Sequence, residues 1–527
     1  MALLLLLSSA AAATASGADV DVRVGSHCAT TDVGSLTSVT MDICLAKQNF
    51  PFDDKTLLQL TSHLGGGQGS AILRIGGSDQ NSFFYDMTSE KSEPFSAKSG
   101  GKCCQHQGSC HGCAHDCTMP SKYWQKVVDF ANASGHRLMF GLVPQVDQAT
   151  ALVTHAAKNG QAVHAYTFGN EKDDDSVIAG YPPLRKLLND KSIFPAGSAV
   201  PLLAGPDVAM QRHATIEAAL TGQDDTITTK LDWVDNFTSA VASILDVVSW
   251  HTYDFHSSDL GMGDHTTLQL TPETERFWST KYLDMALRLS NNITAIAQRN
   301  VPSASVWLSE SDSICHQGID GITNAYLNSV WLVNRLGIMA NANVSVMARQ
   351  SLIGYNYSLL GNWPVEPIKP NPDFYTTVLF KRLFSGTVLK TTTTISSSSS
   401  HANETARAFA FCAAHGPAGA LALALVNFDP HSPATFHFHN SGAAAPIAAS
   451  HREYLLSPGG APVVPGVAWS SREVLLNGEA LSMGAGGTLP AAALGPGRVG
   501  RMAGVATLGP LSVGFVMIDE AANSDCK

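Results

Sequence analysis

Between about residues 40 and 385 this chain alternates short apolar runs with longer stretches of helical periodicity, a rhythm that few folds accept. Ala71-Ile72-Leu73-Arg74-Ile75 ends in Gly76-Gly77, and Arg137 to Leu142 follows the helical stretch Trp124 to Ala133. Ala165-Tyr166-Thr167-Phe168 ends in Gly169, and Pro201-Leu202-Leu203-Ala204 ends in Gly205-Pro206. Val247 to Trp250, Val306-Trp307-Leu308 and Val344 to Met347 continue the series. Each run is short, β-branched or aromatic, and closed by turn formers or polar groups, as strands are. Between them, Ala325 to Leu336 carries Leu327, Val330, Trp331 and Leu336 near helical spacing. Strand–helix units of this number and length predict a (β/α)8 TIM barrel over residues 38–385. A doubly wound open sheet has the same local pattern, and periodicity alone does not separate the two.

After about residue 386 the texture changes. Thr391 to Ser400 is a Thr/Ser tract that reads either as a linker or as an edge strand with a loop. Alternating or apolar runs follow at Ala406 to Cys412, Ala420 to Val426, Thr435 to His439, Glu473 to Leu476 and Leu511 to Ile518, separated by Gly and Pro. That is the pattern of an antiparallel β-sandwich over 386–527. Val20-Asp21-Val22-Arg23-Val24 alternates strictly, so residues 20–24 are a candidate extra strand of the same domain. No internal sequence repeat accompanies either half.

The first residues point to a secretory route. Leu3 to Leu7 is apolar and leads to Ala13-Thr14-Ala15, a signal-peptidase pattern that assigns residues 1–15 to a signal peptide. No later run of about 18 apolar residues predicts a transmembrane segment. Ten cysteines suit an oxidising compartment, and six sequons agree with it, at Asn132, Asn236, Asn292, Asn343, Asn356 and Asn403. The expected location is therefore extracellular, or a lysosome- or vacuole-like lumen. Five cysteines crowd an insertion at 103–117, Cys103, Cys104, Cys110, Cys113 and Cys117, interleaved with His106, His111 and His115. Zinc binding is one reading of that cluster, but in a secreted chain a disulfide-stapled loop is favoured. Five is odd, so one partner lies elsewhere, with Cys28, Cys44 and Cys315 the candidates. A net charge of -11 without a dense Lys/Arg cluster argues against nucleic acid as a partner.

A barrel carries its reactive groups at the C-terminal ends of its strands, which gives Arg74, Asn170, Glu171, Asp207, His251, Tyr253 and Glu310. Glu171 follows Tyr166-Thr167-Phe168-Gly169-Asn170, and Glu310 follows Val306-Trp307-Leu308-Ser309. Two carboxyls flanking one bond are what glycoside hydrolysis needs: one protonates the leaving oxygen, the other attacks the anomeric carbon or activates water. Taken singly, a strand-end glutamate more often caps a helix or pairs with an arginine.

The segments around these residues resemble the heparanase family, glycoside hydrolase family 79. Ser38-Val39-Thr40-Met41-Asp42 and Leu73-Arg74-Ile75-Gly76-Gly77-Ser78 are similar to its first two barrel strands. Gly169-Asn170-Glu171 is similar to the acid/base motif, and Trp307-Leu308-Ser309-Glu310-Ser311 to the nucleophile motif. Ala204 to Val208, Ser249 to Tyr253, Ala348 to Tyr357, Pro372 to Tyr375, Tyr454 to Leu456 and Val474 to Gly478 follow in the same order. Single motifs of this kind are weak; the collinear set is specific.

The resemblance implies a retaining hydrolase acting by double displacement, with Glu171 as acid/base and Glu310 as nucleophile. It implies that Asn170 bonds the sugar 2-hydroxyl, Asp42 binds sugar hydroxyls, and His251 and Tyr253 order the nucleophile. Tyr357, with backbone amides of the loop after Glu310, would receive a uronate carboxylate. It also implies a disulfide between Cys412 and Cys526. No cofactor is needed, because the carboxylates supply both proton and nucleophile. The expected partner is an oligo- or polysaccharide or a small glucuronide, with membrane association only through glycans.

Two departures steer the reading toward the plant-type β-glucuronidases of the family and away from animal heparanase. Lys172 follows the catalytic glutamate where the animal enzyme has Pro, and the basic segments that grip sulfated chains have no counterpart. The loop after the nucleophile, glycine-rich in the family, is here Ile314-Cys315-His316-Gln317-Gly318, which changes the expected uronate contacts. The alternatives are a glycosidase of the same fold acting on another sugar, and a non-catalytic carbohydrate-binding member of the family.

Overall fold

A computed structural model describes residues 17–48, 50–66, 70–96, 117–210, 225–260, 268, 270–396, 405–440, 447 and 450–527. The expected signal peptide, Cys103 to Cys113 and Asn403 lie outside the described residues.

Eight strands close a barrel in chain order: Ser38–Asp42, Ile72–Gly76, Arg137–Leu142, Ala165–Phe168, Leu202–Ala209, Val247–Phe255, Ser305–Ile314 and Val346–Arg349. Every neighbouring pair is parallel, and the ring closes where Arg349 registers with Val39. Closure selects the barrel over the open sheet. Helices between strands differ in burial: Tyr326–Asn341 is buried on all sides, whereas others bury one face. Lys55–Gly65 begins where Asp54 accepts the Leu57 amide at 2.8 Å, and it buries Leu57, Leu60, Thr61 and Leu64 along one face.

Inside the barrel, side chains stack in layers. Ile72, Met139, Ala165, Ala204, Val247, Trp307 and Val346 form an apolar plug. Inward positions recur every second residue of a strand. Two residues beyond Ile72 the inward position is therefore Arg74, and the layer above the plug is polar, with Thr40, Thr167 and Ser249 buried beside it.

The two strands that carry most of the chemistry run further than their apolar stretches. Val247–Phe255 and Ser305–Ile314 continue through His251, Tyr253 and Glu310, so Glu310 lies within a strand. They can continue because Tyr253, Ser309 and Glu310 find hydrogen-bond partners inside the barrel. The register slips between Trp250↔Leu308 and His251↔Glu310, which leaves Ser309 as an extra residue. Strict alternation would send Ser309 and Glu310 to opposite faces. The bulge lets both reach the interior, where Ser309 bonds Asp207 and Glu310 bonds Arg74.

Three short strands, Phe84–Asp86, Phe95–Ser96 and Cys117–Pro120, pair in a small sheet of their own, and the other strands form one large sheet, antiparallel except where Ala18–Thr30 runs parallel to Ala434–Asn440. One face of the central strands contributes Ala408, Ala410, Leu421, Leu423, Leu425 and Val516 to a core of its own, joined by Val20, Val22 and Val24. The alternate residues Phe409, Phe411, Ala422, Ala424 and Phe515 pack against the barrel. The Thr/Ser tract is neither linker nor edge as far as Ser396. It is the end of Phe384–Ser396, which pairs with Ala18–Thr30 on one side and Ala406–Ala413 on the other. β-Branched threonines suit such a position. A disulfide joins Cys412 to Cys526, 114 positions apart. Of the three cysteines weighed as the cluster's outside partner, Cys44 is disulfide-bonded, as is Cys117 of the cluster itself. No helix among the described residues is long and apolar enough to cross a membrane.

Candidate active site

At the C-terminal mouth of the barrel a pocket is lined by Asp42, Glu171, Tyr253, Glu310, Gln350 and Tyr357, with Gly77, Ser78, Tyr355 and the loop residues Cys315 to Gln317 around them. Five of the seven residues assigned catalytic or substrate-contacting roles from the sequence therefore meet there. Asn170 and His251 are buried immediately behind.

Arg74 organises the floor. Its guanidinium donates to Glu310 Oε2 at 2.8 Å, to Asn170 Oδ1 at 2.8 Å and to Asp207 Oδ2 at 2.9 Å. Asp207 is completely buried and also accepts from Ser309 Oγ at 2.7 Å. Tyr253 Oη donates to Glu310 Oε1 at 2.7 Å, so each nucleophile-candidate oxygen has its own donor. His251 lies between the acids: Nδ1 is 3.0 Å from Glu171 Oε1 and 3.9 Å from Glu310 Oε2, and Nε2 is 3.5 Å from Asp207 Oδ2. Expected beside Glu310, His251 makes its hydrogen bond with Glu171.

Glu171 reaches its place through backbone strain. It has φ 54°, as does Asp207, and its amide donates to the Asp207 carbonyl at 2.9 Å. Left-handed conformations at non-glycine residues cost about 1–3 kcal/mol and persist where surrounding contacts enforce them. Asn170 is fixed on both sides by Asn81, whose side chain bonds its amide at 2.9 Å and its carbonyl at 2.8 Å. Its Oδ1 is committed to Arg74, so the orientation expected for sugar binding is set from below.

The charges explain which acid stays ionised. Burial by itself pushes the Glu310 carboxyl up, but the positive charges of His251 and Arg74 and the Tyr253 hydroxyl outweigh it, leaving it below the usual range. Asp207 follows the same pattern: burial opposes its charge, and Arg74 and His251 hold it well below. Burial pushes His251 down, yet Glu310 and Asp207 reverse this against Arg74 and carry it up to about 9. The floor thus holds two cations against two acids kept below their usual range, with Glu171 at its open side. Glu171, His251 and Glu310 bring ligand-type atoms within 4.8 Å of one another, as a metal site would. Arg74 already supplies the positive charge there, against Glu310.

Tyr357 is held by Gln350, whose Nε2 donates to its hydroxyl at 3.1 Å. Of the loop amides expected to meet a uronate, that of Cys315 is spent on the Phe255 carbonyl at 3.0 Å. Among the described residues no Lys or Arg lines the pocket. Sequence reasoning placed Arg74 and Asp207 among the strand-end candidates without giving either a role. A signal was present: an arginine inside an apolar strand, Leu73-Arg74-Ile75, has to find buried counter-charges.

The expected glycosylation positions Asn132, Asn236, Asn292 and Asn343 are exposed, and Asn356 is half-buried beside the pocket.

Comparison with known proteins adds family likenesses. Residues 226–337 match the model described as glycosyl hydrolase family 79, N-terminal domain. The chain is 24% identical over 501 residues to heparanase-like protein 2 of Arabidopsis thaliana, covering 85% of this chain and 82% of that protein. It is 24% identical over 349 residues to baicalin-beta-D-glucuronidase of Scutellaria baicalensis, covering 64% and 56%. In three dimensions it is similar to a 4-O-alpha-L-rhamnosyl-beta-D-glucuronidase from Fusarium oxysporum 12S, with TM-score 0.60, 13% identity, and coverage of 94% and 100%. That last likeness is one of fold.

Proposed function

From the premise that this chain belongs to the heparanase-like glycosyl hydrolase family 79, and so is a glycoside hydrolase, we propose that it is a retaining β-glucuronidase. The observation that carries the mechanism is the proximity of Glu171 and Glu310, which bring carboxylate oxygens within 4.8 Å of each other across the pocket. Retaining enzymes use carboxyls about 5–5.5 Å apart, whereas inverting enzymes leave about 6.5–9.5 Å for a water.

In this reading Glu310 attacks the anomeric carbon while Glu171 protonates the departing oxygen, giving a covalent glycosyl–Glu310 ester. Glu171 then takes a proton from water, which attacks the same carbon from the face the leaving group vacated and releases the sugar with its original configuration. Arg74 and Tyr253 keep Glu310 anionic for attack and stabilise it again as a leaving group. His251, held as an imidazolium, orients Glu171 through their hydrogen bond. The glucuronide preference rests on family relatives together with Tyr357 and the loop after Glu310. The absence of Lys and Arg from the described lining favours the second reading, a neutral sugar in the same site. The Cys412–Cys526 disulfide supports work in a secretory lumen or outside the cell.

Release of chromophore from an aryl β-D-glucuronide, from about pH 4 to 7, tests both parts. Glu171→Ala should lower turnover on the order of 10²–10⁴-fold, and Glu310→Ala at least as much. Azide should restore Glu310→Ala, with the α-glucuronosyl azide as product. A folded parent that ignores the glucuronide but cleaves another aryl glycoside selects the neutral-sugar reading. One that cleaves none sinks the enzymatic reading in favour of a carbohydrate-binding protein.

A further inference from the structure

The sixth and seventh barrel strands end side by side, with Phe255 in register with Ile314. The next residues, His256 and Cys315, are therefore neighbours, and the Cys315 amide bonds the Phe255 carbonyl at 3.0 Å. His316 then adopts φ 57°, which turns the chain and brings its ring to 4.5 Å from that of His256, with the planes at 68°. One ligand-type atom from each of the three residues lies within 4.8 Å of the others. Cys315 and His316 also line the pocket.

We propose that His256, Cys315 and His316 form a binding site for a thiophilic divalent cation of the zinc type at the rim of the active-site pocket. A thiolate with two imidazoles is a donor set that zinc prefers over the oxygen-seeking calcium and magnesium. Zinc takes its sulfur at about 2.3 Å and its nitrogens at about 2.0–2.1 Å. Tetrahedral donors at those lengths lie about 3.3–3.6 Å apart, so binding would draw the three in from their spacing of up to 4.8 Å. His256 and Cys315 are buried and fixed by the paired strands, whereas His316 is exposed and gives the ion its way in. Three protein donors leave a fourth tetrahedral position for water or for an anionic group of a molecule in the pocket. The neighbouring Glu171–His251–Glu310 group does not compete, because Arg74 already neutralises it.

Cobalt(II) added to the full chain reads the site without reference to catalysis. A thiolate-to-cobalt charge-transfer band should rise and saturate at one equivalent, then vanish as zinc displaces the cobalt. Cys315→Ser should abolish the band, and His256→Ala and His316→Ala should each weaken binding at least tenfold. Zinc should also raise the melting temperature of the parent, and not of Cys315→Ser. No band in the parent, or an undiminished band in Cys315→Ser, overturns the proposal and in the second case puts the ion elsewhere. Should Cys315→Ser fail to fold, unchanged affinity in His316→Ala, altered only at the surface, overturns it equally.

Discussion

Arg74 on the second barrel strand and Arg349 on the eighth each face two carboxylates out of water, yet those carboxylates respond in opposite directions. Around Arg74, both Asp207 and Glu310 are held below their usual range. Around Arg349, burial pushes Asp312 up to about 7 despite the arginine, and raises Asp373 as well. The geometry is comparable: Arg349 lies 2.6 Å from Asp373 and 3.4 Å from Asp312, with Asn328 as a further donor to both. What differs is the number of cations. The Arg74 cluster has His251 as a second positive charge, and the Arg349 cluster has one arginine for two acids. A buried carboxylate stays ionised where positive charge matches it, so one cluster suits a nucleophile and the other suits a strut. The strut holds the pocket wall, since Arg349 also donates to the Tyr357 carbonyl at 2.7 Å.

The comparison can be broken most directly at the arginines. Removing one partner of a buried ion pair costs about 3–5 kcal/mol, so Arg74→Met and Arg349→Met should both lower the urea midpoint substantially. Only Arg74→Met should also lose turnover on the order of 10²–10³-fold beyond what its stability explains. Equal activity loss in a folded Arg349→Met would erase the distinction. Tyr253→Phe is milder: one hydrogen bond to a charged group is worth about 1.5–3 kcal/mol. The expected result is a tenfold to hundredfold fall in kcat with the melting temperature little changed. A fall in KM alone would deny Tyr253 its place on the nucleophile.

The smallest effect is the most specific. His251 has its folded pKa raised from 6.5 to about 9, so its stabilisation is full below pH 6.5 and is lost as pH rises through 9. Asp312, raised from 3.8 to about 7, likewise favours the folded state at low pH and loses that contribution as pH rises through 7. Glu310 acts with the opposite sign, since its lowered pKa withdraws stability as pH falls through its folded value. Stability should therefore decline with rising pH in two stretches, from pH 3.8 to about 7 through Asp312 and from pH 6.5 to about 9 through His251. Asp312→Asn should remove the decline between pH 3.8 and about 7 and leave the one that ends near pH 9, because Arg349 then pairs with Asp373 alone. Urea midpoints across this range measure it, and a decline between pH 3.8 and about 7 that survives the substitution would assign it to another group.

Seven of the eight barrel strands were legible because each is a dense apolar run bounded by turn formers, and burial on both faces leaves little else such a run can become; the first, Ser38–Asp42, mixes polar and apolar residues and came from family resemblance. Strand ends were less so. His251, Tyr253 and Glu310 read as residues after strands because polarity signals an end, yet ion pairing and a bulge keep the strand going. The pairing of His251 with Glu171 was not legible, since it depends on the left-handed turn at Glu171 and not on residue type. The Thr/Ser tract was ambiguous for another reason: threonine suits a strand and a linker alike, and one of its two neighbours in the sheet, Ala18–Thr30, lies hundreds of residues away. The expected Cys412–Cys526 disulfide came from family resemblance, and spacing alone would not have chosen it.

The position of Ala18–Thr30 has a consequence for how the molecule is made. This strand sits inside the sheet, bonded on one side to Phe384–Ser396 and on the other to Ala434–Asn440. Cys28 and its neighbour Val388 are 360 positions apart in the chain. As the polypeptide emerges from the ribosome, the strand has no partner until the whole barrel has been synthesised. Its apolar stripe of Val20, Val22 and Val24 stays unsheltered throughout that interval, and such an edge invites association with other chains. Once its partners arrive it acts as a clasp between the first and last parts of the polypeptide. Separating the molecule near residue 385 would cut that clasp open, so neither half is a natural unit for expression by itself.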